Sequence, residues 1–330
     1  MSPEHSRRRA LRRGMDASAV LLALTLVLAA CGVQATPSPS VSALPSPTAT
    51  GVPTPTASPS PTPLPTPNPL NEELLGSRFT ILVVGEDVSA ARRARGYIGD
   101  NTDAIMVVSV SPRQKKVVML SLPRDNVDIP LGNGQIWSGK VNAIANTYGV
   151  DGLRQAMAAL LDIEIPYYVK VNMDDFVSLV DAVGGIRVNV KTVVQEPRWG
   201  LYLTPGKAHL DGRTALYFSR ARYYDSDYAR AARQQQVIRA LVHKYTNRNT
   251  NIDFAQVLLT LAGLDTNLDL AELATLTVLA RRAVNADYVA EVLTPPTYAL
   301  NWGDQHDGRG WVIIPNVDAM RARAHQLMRD

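Results

Sequence analysis

Arginines and carboxylates set just after apolar runs are the residues of this 330-residue chain best suited to chemistry. Leu122-Pro123-Arg124-Asp125 directly follows an apolar, β-rich run, which puts Arg124 at a sheet edge, a frequent site position. Arg220-Ala221-Arg222 sets two guanidiniums two residues apart, and in extended backbone both face one side. Arg230, Arg233 and Gln234 lie on the next helical segment, where Arg230 and Gln234 share a face. Guanidinium forks take phosphate oxygens bidentately, and a Gln amide adds a donor. If these donors converge, they make a site for pyrophosphate rather than for one carboxylate. Asp87 follows a strand ending at Gly85, and Asp103 opens the next strand. Two hard carboxylates beside phosphates are a usual way to hold Mg²⁺, with Mn²⁺ as the alternative. Each feature also has a plain structural reading. Arg124-Asp125 makes a local ion pair, Arg220 and Arg222 a solvated strand face, and Asp87 and Asp103 turn residues or caps.

Other chemistries are poorly represented. There is no G-x-S-x-G, Walker loop or HExxH. His5, His209, His243, His306 and His325 lack metal-ligand spacing, and a Ser-His-Asp triad has little support. The single Cys excludes an intrachain disulfide framework and a cysteine-rich zinc site. The net charge of +4 is misleading, because residues 1–30 carry five Arg against two acids. The remainder is near neutral, so no nucleic-acid partner is expected. No run of 18 apolar residues occurs, which excludes a polytopic membrane protein.

The elements that must position these residues follow from periodicity. Strands are expected at Arg78–Gly85, Asp103–Ser111, Lys116–Leu122, Tyr167–Val171, Ile186–Val190 and Trp311–Ile314. The turn Ser111-Pro112-Arg113-Gln114 makes the second and third a hairpin. Helices are expected at Asn142–Asp162 with a break near Gly149, then Met173–Val183 stopped by Gly184-Gly185. Further helices follow at Asp211–Arg220, Tyr228–Tyr245, Phe254–Leu261, Leu270–Val284 and Met320–Met328. Mixed strands and helices without a repeat predict one α/β domain over residues 72–330, a mixed sheet flanked by helices.

The first seventy residues read as address and tether. Arg7, Arg8, Arg9, Arg12 and Arg13 precede an uncharged stretch, Ala17 to Ala30, that is short for a membrane span. That pattern predicts an export signal over residues 1–30. Leu28-Ala29-Ala30-Cys31 resembles a bacterial lipobox, in which Cys31 is diacylated; an uncleaved N-terminal anchor is the alternative. Residues 31–71 form a Pro/Ser/Thr-rich linker. Twelve of the 22 prolines fall in 35–70, a composition that cannot pair as strands or bury a core. Such a spacer lifts the folded domain off a membrane.

Four long blocks resemble the LytR-CpsA-Psr family of cell-envelope proteins. The first joins ILVVGED (81–87) to NTDAIMVVSVSPRQKKVVMLSLPRD (101–125), and the second is KVNAIANTYGVDG (140–152). The third is YYVKVNMDDFVSLVDAVGGIRVNV (167–190), and the fourth is LDGRTALYFSRARYYDSDYARAARQQQVI (210–238). The resemblance implies an extracytoplasmic phosphotransferase. Such enzymes move a glycopolymer phosphate from a polyprenyl-pyrophosphate carrier onto peptidoglycan. It further implies that Asp87 and Asp103 bind Mg²⁺ and that Arg124, Arg220 and Arg222 hold the pyrophosphate. Arg230 and Gln234 complete the head-group pocket, and Arg233 supports them. An apolar cleft between sheet and helices takes the polyprenyl tail; Phe176, Leu179 and Val180 are candidates for it, though core packing is their plainer role. Asp125 or Asp103 would assist deprotonation of the sugar hydroxyl.

Two departures from the family pattern stand out. Asn101 occupies a position where the family often has Arg, so one pyrophosphate contact is either missing or supplied by Arg93 or Arg95. The segment between Asp87 and Asp103 is long and Arg-rich, either a lid or a solvated loop. Three other functions compete with transfer. One is a binding module that retains the lipid or an anionic polymer; another is a pyrophosphatase using water as acceptor. A transcriptional regulator is disfavoured by the export signal and by the lack of a basic helix-turn-helix.

Overall fold

The computed structural model describes residues 70–97, 101–246, 254–283 and 285–329. The expected signal, Cys31 and most of the linker lie outside them. Among the described residues no helix is long and apolar enough to cross a membrane. The described residues form one compact unit.

After a short helix α1 (Glu72–Gly76), strand β1 (Phe79–Glu86) leads to helix α2 (Ala90–Ala94), then β2 (Thr102–Ser111) and β3 (Lys116–Ser121). A small two-stranded pair follows, β4 (Ile129–Pro130) with β5 (Ile136–Trp137). Helix α3 (Ile144–Leu161) bends where Gly149 takes φ 73°, a backbone shape that glycine adopts without strain. Next come β6 (Tyr167–Val171), α4 (Met173–Ala182) and β7 (Ile186–Val190). A three-strand excursion follows, β8 (Val194–Glu196), β9 (Leu201–Leu203) and β10 (Gly206–Leu210). Helices α5 (Gly212–Arg220), α6 (Asp227–Thr246) and α7 (Phe254–Ala262) precede β11 (Asp265–Thr266) and α8 (Leu270–Ala283). The chain closes with β12 (Asp287–Val292), β13 (Ala299–Asp304), β14 (Trp311–Pro315) and α9 (Val317–Met328).

Six strands make the central mixed sheet, in the order β11-β6-β1-β2-β3-β12. β1 runs parallel to β6 and antiparallel to β2, and β3 runs parallel to β12. β1 is buried almost throughout, as its largely apolar sequence requires of a strand covered on both faces. One face packs Leu82, Val84, Val107 and Leu120 against Leu153, Met157 and Leu160 of α3 and Met320 of α9. The other packs Phe79, Ile81, Val117 and Met119 against Leu273 and Leu279 of α8. Each such fully buried side chain contributes about 1.5–3 kcal/mol of transfer free energy. β7 alternates buried and exposed residues and pairs with β10 over α5 and α6, forming a second cluster around Val180, Ile186 and Phe218. The mixed sheet flanked by helices is therefore as expected from the sequence.

Several strands were not expected, for physical reasons. β12 lacks a long apolar run yet adds to the sheet edge, because β3 offers it a parallel partner. β13 is mostly exposed and is held by pairing with β14. β4, β5, β8, β9 and β11 are two or three residues long, below the length at which alternation is legible.

Candidate active site

Asp87 and Asp103 are brought together by the β1–β2 pairing. The ladder matches Gly85 with Ala104 and then Glu86 with Thr102, so Asp103 is the extra residue of a β-bulge. A bulge re-aims a side chain, here toward the end of β1 where Asp87 follows. The close approach depends on Gly85, whose hypothetical Cβ would stand 2.9 Å from Ala104 Cβ.

The arginines arrive from three places. Arg124 sits in the loop after β3. Arg220 is the last residue of α5, where a cation is favoured by the helix C-terminus. Arg230 and Gln234 project from the first turns of α6 and both border one pocket. Gln235, buried behind them, fixes that helix by donating to Ser121 Oγ at 2.9 Å and the Glu291 carbonyl at 2.8 Å. Arg220 and Arg222 are not on an extended strand, which corrects the expectation from their spacing. The α5 helix ends between them, and they diverge. Arg220 reaches Asp87 at 2.5 Å, and Arg222 reaches Asp227 at 2.9 Å.

Every arginine of the expected set is held by a carboxylate or a carbonyl. Asp87 takes Arg92 at 2.7 Å besides Arg220. Arg124 meets Asp103 at 2.9 Å, Asp227 at 3.3 Å and Asp125 at 3.7 Å. Burial alone would lower the affinity of the Arg124 guanidinium for its proton, but Asp103, Asp227 and Asp125 outweigh it and raise its pKa. Burial wins at Arg230, whose pKa is lowered, although an arginine remains a cation. The Nε of Arg230 is buried without a partner among the described residues. Desolvation would raise the Asp227 pKa, but Arg230, Arg222 and Arg124 pull it below its ordinary value.

Asp87, Asp103, Arg220, Arg222, Arg230 and Gln234 open onto a pocket with a volume of about 540 Å³, whereas Arg124, expected to hold the pyrophosphate, is not on its wall and reaches it only through its ion pair with Asp103. The pocket's polar end carries Asp87, Arg92, Asp103, Arg220, Arg222 and Arg230. Its interior runs between the sheet and α4, α6 and α7, along Met106, Val169, Phe176, Leu179, Ile238 and Leu261. Phe176 and Leu179 thus line the cavity, whereas Val180 is fully buried in the core. The turn Pro197–Trp199 forms part of the rim. Trp199 stacks on Tyr217 with centroids 5.2 Å apart and lies under Arg220, and the Arg222 N–H donates to Glu196.

Three expectations change. Arg233 faces away from the pocket; it donates to the carbonyls of Phe218 and Ala221 and pairs with Asp225, bracing the α5–α6 turn. Asp125 stands off the pocket, 2.6 Å from the Lys140 ammonium. Its backbone carbonyl accepts the Ile313 N–H, so β14 anchors the Arg124 loop. Neither Arg93 nor Arg95 borders the pocket. Arg93 lies 3.6 Å from Glu86, and Arg92 enters instead. Asp227, which the sequence reading passed over, was marked by its i,i+3 spacing to Arg230.

Among the described residues no three His, Cys, Asp or Glu form a metal cage. Asp87 and Asp103 nevertheless suit Mg²⁺, which commonly uses one or two protein carboxylates and completes its shell with water and phosphate oxygens.

A model of the LytR_cpsA_psr family matches residues 59–296. The chain belongs to that family. Among curated relatives, Biofilm regulatory protein A of Streptococcus mutans is 29% identical over 263 residues, 74% of this chain and 62% of its own length. The polyisoprenyl-teichoic acid–peptidoglycan teichoic acid transferase TagU of Enterococcus faecalis is 37% identical over 186 residues, 54% of this chain. The chain spans 58% of the length of that relative. The solved structure of Bacillus subtilis TagV, 24% identical, superimposes with a TM-score of 0.61 over 77% of this chain and 98% of that one. The mixed α/β fold is thus the fold of this family's solved members.

Proposed function

We propose that this family member is a phosphotransferase that joins an anionic glycopolymer, carried on polyprenyl pyrophosphate, to peptidoglycan. One observation carries the reading: a single cavity is apolar inside and lined at its mouth by arginines and two aspartates. A polyprenyl pyrophosphate has the same division, an apolar tail ending in a compact anion. The Enterococcus faecalis relative is named as a transferase of that substrate class.

In this reading the tail lies along Phe176, Leu179 and Ile238 while Arg220, Arg222, Arg230 and Gln234 take the pyrophosphate oxygens. The ion pairs that hold these arginines keep them oriented before the donor arrives, so little reorganisation remains. Asp87 and Asp103 would hold Mg²⁺, which supplies charge neutralisation on the phosphates. An acceptor hydroxyl oxygen forms a bond to the phosphorus that bears the glycan. The bond from that phosphorus to the bridging oxygen breaks, and polyprenyl phosphate leaves with the electron pair. The hydroxyl proton passes to a carboxylate at the polar end. Asp103 is on the wall there, and Asp125 acts by placing Arg124 and Lys140. The cationic wall stabilises the charge on the leaving phosphate. The N-terminal pattern adds a location: lipidation at Cys31 would tether the enzyme to the outer face of the cytoplasmic membrane.

The test uses the 330-residue chain, a labelled polyprenyl-pyrophosphate glycan and peptidoglycan fragments, with Mg²⁺, with Mn²⁺ or with EDTA. Metal-dependent label on peptidoglycan supports transfer. Release of the label into water points to a pyrophosphatase, and retention of intact donor without turnover points to a binding module.

A further inference from the structure

Transfer needs a second ligand beside the donor, and a separate polar pocket lies on the α3 face of the sheet, across from the donor cavity, sharing with it the wall residue Glu86 at the carboxyl end of β1. It has a volume of about 200 Å³ and is walled by Glu86, Asn146, Tyr168, Lys170 and Asp265, with Ala145 and Val150 of α3. The Glu86 side chain is only 4% exposed, yet it borders both this pocket and the donor cavity. It immediately precedes Asp87. β1 and β6 run parallel, so Glu86 and Lys170 both stand near the carboxyl ends of their strands, where ligands of α/β sheets gather.

The chemistry of the walls selects the ligand. Lys170 lies 3.1 Å from Glu86 and 3.0 Å from Asp265, so its charge is answered by two carboxylates. The Tyr168 hydroxyl donates to Asp265 at 3.4 Å. Asn146 donates to the Asn101 side chain at 2.9 Å, and the Asn101 carbonyl accepts the Asp87 N–H. Among the described residues no cation on these walls is left over for a phosphate. Hydroxyl, amide, ammonium and carboxylate groups crowded together suit a neutral ligand dense in hydroxyl and acetamido groups.

We propose that this pocket is the acceptor subsite, holding one amino-sugar residue of the glycan so that a hydroxyl reaches the donor phosphorus past Glu86. The inference rests on the transferase reading and adds to it where the acceptor binds.

The test compares the wild-type chain with Asn146→Ala and Asp265→Asn, two exposed positions outside the donor cavity. The acceptor KM is expected to rise about tenfold in each, the scale of one or two lost polar contacts. The donor KM and water-driven donor hydrolysis should stay within about twofold of wild type, within the small effects usual for surface substitutions. An unchanged acceptor KM in both variants would overturn the proposal. So would a parallel rise in donor and acceptor KM, which marks a brace for the sheet edge. A wild type that transfers nothing would remove the transferase reading instead. In that event calorimetric titration with a peptidoglycan disaccharide decides: binding weakened by Asp265→Asn supports the subsite, and no binding to wild type overturns it.

Discussion

Asp227 Oδ2 lies 3.3 Å from Arg124 Nε, joining the first turn of α6 to the loop after β3. The same carboxylate meets Arg222 at 2.9 Å and Arg230 at 3.4 Å, so one acid spaces three guanidiniums. Without it these cations would repel one another before any donor arrived.

Asp227→Asn is therefore expected to cost about 1.5–3 kcal/mol of stability at neutral pH, the range for hydrogen bonds to charged groups. The pH dependence has a definite sign. The folded-state pKa of Asp227 is lowered, so its contribution is complete above the unfolded carboxylate value near 4 and is lost as pH falls through the folded value. Urea titrations of wild type and variant at pH 7 should differ, and the difference should shrink in strong acid. Equal stability at pH 7 would show that the hub holds nothing.

Arg92, rather than Arg93 or Arg95, stands on the cavity wall and pairs with Asp87 at 2.7 Å. Arg92→Ala should lower kcat/KM about 10- to 100-fold, the loss of one charged contact to the donor or its aspartate. Arg93→Ala should stay within about threefold, because Arg93 is largely exposed and only 3.6 Å from Glu86. Steady-state kinetics on the two variants separate these outcomes, and a reversed order would move the site's edge.

Much of this was readable because long-range geometry left local marks. Asp87 and Asp103 could be found at the ends of apolar strands, and Arg230 with Gln234 by helical spacing. Arg220 and Arg222 were found by composition; the helix expected to end at Arg220 does end there, so the shared face that extended backbone would give them does not form. Arg92, Arg93 and Arg95 differ in sequence by almost nothing. Only the short turn of α2, capped by the Ser89 hydroxyl, selects which one faces Asp87. The inward role of Arg233 as a brace depends on where α5 stops, a boundary that periodicity sets only to within a few residues. The β13–β14 hairpin anchors the Arg124 loop across most of the chain, a contact with no sequence period to betray it.

The interior of the cavity makes a separate prediction. Leu179→Trp puts bulk into the apolar interior proposed for the tail and should weaken binding of long-chain polyprenyl phosphates at least about tenfold, while inorganic pyrophosphate is unaffected. Fluorescence titration against prenyl chains of increasing length checks this. An affinity for pyrophosphate that falls as much as that for the lipid would mean the residue supports the polar end instead.

Two glycines carry close approaches and should not tolerate a methyl group. A Cβ at Gly212 would stand 2.3 Å from the Val177 carbonyl, between α5 and α4. Gly212→Ala should cost about 1–3 kcal/mol as overpacking, read as a lowered Tm. Gly85→Ala, facing only the Ala104 methyl at 2.9 Å, should disturb the bulge that aims Asp103 and lower activity more than stability. A Gly85→Ala enzyme with full activity would detach the bulge from the chemistry.

The central claim is that the phosphorus bearing the glycan passes directly to an acceptor hydroxyl. It is tested most directly by running the wild-type reaction with Mg²⁺ in heavy-oxygen water and analysing the phosphorus-containing products by mass spectrometry. The account predicts one polyprenyl monophosphate released for each glycan phosphodiester formed on peptidoglycan, with no heavy oxygen in either. Heavy oxygen in a released glycan phosphate, or polyprenyl pyrophosphate recovered intact beside untouched peptidoglycan, would contradict it.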